Sequence, residues 1–105
     1  MNNDKIARYV GFAVKSGKIV FGLDNFPGKK RQLKLVLADI TLSGGSLEKA
    51  KRLCSEYNIP LIEISDVEGL TGKSGCKAAG ITEDNLSKEI IKIVGVAVPS
   101  ERGEL

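Results

Sequence analysis

Short apolar runs alternate along this chain with segments of helical periodicity, and the alternation restricts the architecture before any motif is considered. Ile19-Val20-Phe21 is too short for a helix and reads as a buried strand, which Gly22 ends. Leu35-Val36-Leu37-Ala38 and Leu61-Ile62-Glu63-Ile64 read as two more strands. Residues 76–81 read as a fourth strand of small side chains. Before the first strand, Ile6, Val10, Ala13 and Val14 repeat at helical spacing, with Asn2, Asn3 and Asp4 as capping residues and Gly17 past the end. Leu47, Ala50, Leu53, Cys54 and Tyr57 mark a second helix that Ser43 or Ser46 opens and Asn58 and Pro60 stop. Residues 66–70 suit one short helical turn. Leu86, Ile90, Ile93 and Val94 form the face of a last helix opened by Thr82, Glu83 and Asp84. Helices interleaved with buried strands cover both faces of one sheet, which makes a three-layer α/β/α sandwich.

The segment 23–33 leaves two readings open. Asp24 or Asn25 caps a short helix beginning near Pro27, or the stretch is a loop. The last residues, 95–105, carry Gly95, Pro99 and Gly103 and read as a flexible tail. The single domain is expected to occupy residues 1–94.

Composition removes several function classes. The 105 residues are 42% apolar and 28% charged, which suits one soluble domain with a modest core. No run approaches the roughly 18 apolar residues of a membrane span. Asn-Asn-Asp-Lys after Met1 is no secretory leader, so the expected location is cytoplasmic. The chain has no histidine, so Ser-His or Cys-His catalysis and a cysteine–histidine zinc site within it are excluded. Cys54 and Cys76 lack Cys-x-x-Cys spacing and read as buried free thiols. No cofactor or metal is expected.

Charge is unevenly placed. Residues 1–34 hold eight cations and two acids, a net +6, while residues 35–105 carry a net −3. A basic first third suits a polyanionic partner, although solubilising lysines are an equally simple account.

Three local patterns bear on chemistry. Gly69-Leu70-Thr71-Gly72-Lys73-Ser74 ends like a phosphate loop, but Val67 stands where that motif needs its first glycine. Nucleotide binding is therefore not expected. The exposed N–H groups, lysine and hydroxyl of such a turn still suit a nucleic-acid phosphate. Gly22-Leu23-Asp24-Asn25 is ordinary turn chemistry by itself. With Lys18 before it and Lys29, Lys30 and Arg31 after it, the same stretch suits base edges flanked by phosphate contacts. Asp39 and Asp66 follow strands, where α/β enzymes place acids, but neither has a carboxylate partner or nucleophile in the pattern. Both read as solvated loop acids. Tyr9, Phe21 and Tyr57 fit core faces, and Phe26 is the aromatic expected to be exposed beside the basic cluster.

These stretches, in this order, resemble the kink-turn-binding ribosomal protein family (L-seven-Ae / L-thirty-e-like), and its small bacterial stand-alone members in particular. The matching segments are Val10-Gly11-Phe12-Ala13, Ser16-Gly17-Lys18-Ile19-Val20-Phe21-Gly22 and Lys34-Leu35-Val36-Leu37-Ala38-Asp39. Leu53-Cys54, Asn58-Ile59-Pro60-Leu61, Leu70-Thr71-Gly72-Lys73-Ser74-Gly75 and Ala79-Gly80-Ile81-Thr82-Glu83-Asp84 continue the match. The resemblance implies a sandwich around a small four-stranded mixed sheet. It also implies binding to kink-turns, sharply bent RNA internal loops with tandem sheared G·A pairs. In that family a Gly-x-Asn-Glu-x-x-Lys stretch enters the RNA groove, and a glycine-bearing loop before the last strand covers flipped-out bases. Gly22 matches the glycine, Asp24-Asn25 stand where Asn-Glu is expected, and Gly28 stands in the lysine's place, with Lys29 next.

The expectation is a non-catalytic, monomeric protein binding structured RNA, ribosomal RNA or the ribosome included. Its site would comprise Lys18, Gly22, Asp24, Asn25, Lys29, Lys30, Arg31, Gly72, Lys73, Ser74 and Gly75. The alternative is a protein-interaction module of the same fold that has lost kink-turn binding.

Overall fold

A computed structural model of the chain describes residues 3–95. The first helix, α1, spans Asn3–Lys15 and buries Ile6, Val10 and Ala13, the face its spacing predicts. It closes in a Schellman turn: Gly17 takes φ 71°, its N–H bonds the Val14 carbonyl, and the Lys18 N–H bonds that of Ala13. The capping role expected of Asn2, and the tail beyond Gly95, lie outside the described residues.

Strands β1 (Ile19–Phe21), β2 (Leu35–Asp39), β3 (Leu61–Ile64) and β4 (Ala78–Ile81) form one sheet in the order β1-β4-β2-β3. β4 runs antiparallel to both neighbours, and β2 and β3 are parallel. The sheet is therefore mixed, and β1, β2 and β3 all end where β4 begins. Every residue of β2 is buried, as a strand covered on both faces requires.

Helix α1 shares one face with α3 (Val67–Thr71) and α4 (Asp84–Val94), over Leu35, Leu37, Ile62, Ala79 and Ile81. Helix α2 (Gly44–Tyr57) covers Val36, Ala38, Leu61 and Ala78 on the other. Ser43 caps α2 by accepting from the Ser46 N–H, and Asn58, at φ 56°, ends it. Cys54 lies in the second of these clusters and Cys76 in the first, so the sheet keeps the two thiols apart. Burial pushes the Cys54 thiol up to about 12, which makes it a poor nucleophile. No helix among the described residues is long and apolar enough to cross a membrane.

The segment 23–33 is neither a regular helix nor an open loop. It forms two 3₁₀ turns, Leu23–Asn25 and Pro27–Lys29, with Pro27 in the first position of the second, where its missing N–H costs nothing. Phe26, expected to be exposed, is fully buried between them. The reason is Gly80. This β4 residue pairs with Val20 and Val36 and leaves a shallow hollow in the sheet, which Leu33 and Phe26 fill. A Cβ at Gly80 would overlap Leu33 Cδ2 and lie 3.4 Å from Phe26 Cε1. Gly80→Ala is accordingly expected to cost about 1–3 kcal/mol, read as a lower urea midpoint.

Candidate nucleic-acid interface

The candidate site starts where β1 ends. The Gly22 N–H bonds the Ala78 carbonyl at 2.8 Å and extends the β1–β4 ladder by one rung. The chain then turns away with Gly22 at φ 86° and ψ 135°, which only glycine adopts without strain. A Cβ there would have room, so the demand is conformational. The Asn25 N–H returns to the Gly22 carbonyl, and Asn25 Nδ2 donates to the Phe21 carbonyl at 2.6 Å. With its amide nitrogen engaged, Asn25 keeps Oδ1 as an acceptor. Asp24 and Asn25 are both exposed. Asp24 lines a 200 Å³ cleft with Leu23, Phe26, Pro27, Lys49 and Leu53. Lys49 comes from α2 and gives no sign of this role in the sequence.

Because β1 pairs with β4, the loop before β4 arrives at the same end of the sheet. Gly72, Lys73, Ser74 and Gly75 are all exposed, and both glycines have positive φ. Lys73 Nζ sits 5.5 Å from the centroid of the Phe21 ring, the residue before Gly22. Thr71, buried beneath, donates to the Val67 carbonyl and accepts from the Lys73 N–H, which fixes the start of the loop. Gly72-Lys73-Ser74 closes α3 here, whereas a phosphate loop places those residues at a helix start.

Of the two strand-end acids, Asp66 is the exposed loop acid expected, and Asp39 is not. Asp66, at φ 62°, caps α3 by accepting from the Gly69 N–H. Asp39 is buried and braces this end of the sheet. Its Oδ1 accepts from the N–H and the hydroxyl of Thr41, and its Oδ2 from the Val67 N–H at 2.8 Å. The hydroxyl bond, the backbone bonds and nearby Lys77 hold the carboxyl at about 2, against the opposing effect of burial. Lys77 in turn donates to the Thr41 hydroxyl at 2.7 Å. The local part of this brace, Asp-x-Thr, is a turn signature; its link to Val67 is not.

The basic cluster does not join this assembly as one face. Lys18 gives its carbonyl to the Thr82 N–H, and the Lys34 N–H bonds the Ile81 carbonyl, so both lie at the opposite end of the sheet. The crossover from β1 to β2 carries Lys30 and Arg31 to that far end, where they line a cavity with Lys34 and Lys88. Lys29 is exposed in the second 3₁₀ turn. The structure thus places Gly22, Asp24, Asn25, Gly72, Lys73, Ser74 and Gly75 at one end of the sheet, linked by Lys73 over Phe21, and sets Lys18, Lys30 and Arg31 at the other.

The architecture has a solved counterpart. A protein of unknown function from Bacillus halodurans C superposes with a TM-score of 0.81 over 88% of this chain and 98% of its own, at 16% identity. At that identity the likeness shows the fold. No family model matches the chain, and no curated protein does.

Proposed function

We propose that the chain is a non-catalytic RNA-binding protein that recognises a kink-turn or a related structured RNA, such as ribosomal RNA. The observation that carries this reading is the meeting of two exposed stretches at one end of the sheet, the Gly22 to Asn25 turn and the glycine-bearing loop 72–75, with Lys73 over Phe21. The turn presents acceptors, the Asp24 carboxylate and Asn25 Oδ1, which suit the amino and imino hydrogens of guanine in sheared pairs. Lys73 supplies a phosphate contact, and the positive-φ glycines let the loop backbone come close to an unstacked base.

The test is a titration at 0.1 M salt of labelled kink-turn RNA against a matched duplex lacking the G·A pairs. The reading expects a preference of about tenfold or more, roughly 1.4 kcal/mol. Asn25→Ala should erase most of that preference. Lys73→Ala should weaken both RNAs similarly and flatten the log K against log salt slope by about 0.7–0.9. Equal binding to the two RNAs by the unaltered chain would overturn kink-turn recognition. A protein-interaction module of the same fold is the second reading. The observation favouring it is that the residues after Gly22 form two 3₁₀ turns, not a regular helix that could enter a groove. A partner retained through ribonuclease treatment, together with absent RNA binding, is its signature.

A further inference from the structure

The far end of the sheet carries a basic concavity of 490 Å³ that the reading above does not use. That volume lies within the roughly 300–1,000 Å³ of small-ligand sites. The crossover contributes Lys30, Arg31 and Lys34 to its wall, α2 contributes Tyr57, and α4 contributes Asp84 and Lys88. Among the described residues Asp84 is the one acid lining it, and it is paired with Lys88 at 3.1 Å. Lys30, Arg31 and Lys34 enter no ion pair among the described residues. Lys30 Nζ rests 5.1 Å from the centroid of the half-buried Tyr57 ring, which holds the ammonium at the wall.

Three uncompensated cations on one concave wall repel each other and concentrate positive potential where an anion would relieve it. One carboxylate would answer only one of these charges. A phosphate monoester carries about −1.5 to −2 at neutral pH, and two successive phosphodiesters carry a similar charge. The guanidinium fork of Arg31 fits two phosphate oxygens at once, and the lysines add point charges beside it.

We infer that this cavity is a phosphate-binding site for a nucleotide unit, distinct from the Lys73 end and independent of the kink-turn reading. The nucleotide has two possible sources, an RNA strand and a free mononucleotide, and two probes separate them. One is labelled decauridylate without a terminal phosphate, followed by fluorescence anisotropy. The other is uridine monophosphate, followed by calorimetry. Both are titrated at 0.1 M salt into the unaltered chain, Arg31→Ala/Lys34→Ala and Lys73→Ala. Arg31 and Lys34 are exposed, so the double variant should fold, and its urea midpoint checks that.

The expected result is binding of at least one probe, weakened tenfold or more in Arg31→Ala/Lys34→Ala and much less in Lys73→Ala. An effect on decauridylate assigns the site to an RNA strand, and an effect confined to the mononucleotide assigns it to a free ligand. Binding of neither probe at millimolar concentration, or equal binding by the unaltered chain and the double variant, overturns the inference. Loss of kink-turn preference leaves it standing, because that preference is read at the other end of the sheet.

Discussion

Phe26→Ala is expected to lower the free energy of unfolding by about 3–5 kcal/mol, the usual cost of emptying a fully buried phenylalanine site. Total stability for a domain of this size is about 5–15 kcal/mol, so the loss is a large share of it. Phe26 packs with Leu33, Val36, Ala38, Ala50 and Cys54 on the α2 side of the sheet. The hollow it fills exists because Gly80 has no side chain. The two 3₁₀ turns on either side of Phe26 have little buried anchorage of their own, since none of their residues is buried. Pro27, with its fixed φ, also limits how far the backbone can settle into the vacated space. Urea unfolding should show a lower midpoint with an unchanged slope, because the surface exposed on unfolding barely alters. Phe26→Leu should recover much of the loss by refilling most of the volume. A loss below about 1 kcal/mol in Phe26→Ala would show that the crossover is held elsewhere.

The same residue marks where reading along the chain stops working. The helices are legible because Ile6, Val10 and Ala13, or Ala50 and Cys54, repeat at helical spacing whatever lies opposite. The three apolar strands are legible because a short apolar run has few other fates. Phe26 sits among Asp24, Asn25, Pro27, Gly28 and Lys29, and every local cue says surface. Its burial is decided by Gly80, on a strand far along the chain. The fourth strand begins at Ala78 and not at Cys76, because the Cys76 N–H is taken by the Lys73 carbonyl in a turn.

The candidate site divides in the same way. The Gly22 turn and the loop 72–75 stand out in the sequence, one by its polar pair and the other by its glycines. Their meeting depends on the antiparallel pairing of β1 with β4, which no local pattern encodes. The positive charge of the first third is real but directionless in sequence. Lys30 and Arg31 are near Asn25 along the chain, yet the crossover between two strands of the same direction delivers them to the opposite end of the sheet.

Asp39→Asn is the other substitution with a large expected effect, and pH gives it a signature of its own. In the folded chain the carboxylate takes three hydrogen bonds, two from Thr41 and one from the Val67 N–H, with Lys77 nearby. Asparagine can keep an oxygen toward Thr41, but its NH₂ then faces the Val67 N–H, donor against donor. That N–H is left buried without an acceptor, and the charge-assisted bonds are lost. Together these should cost about 2–3 kcal/mol at neutral pH. The sign of the pH effect follows from the carboxyl's depressed value of about 2, against the usual 3.8. Above about pH 5 the group is charged in both folded and unfolded chains, and its stabilising contribution is fully present. As pH falls from about 5 toward 2, the unfolded chain takes up the proton first, so stability falls; once the folded form is protonated too, near pH 1, this contribution is gone. The unaltered chain should therefore lose stability more steeply than Asp39→Asn over that interval, and the gap between them should narrow. Unfolding midpoints measured from pH 7 to pH 2 test this. A gap that stays constant over the whole range would mean that Asp39 acts through shape alone, and that its charge does not brace the strand ends from which the candidate site is built.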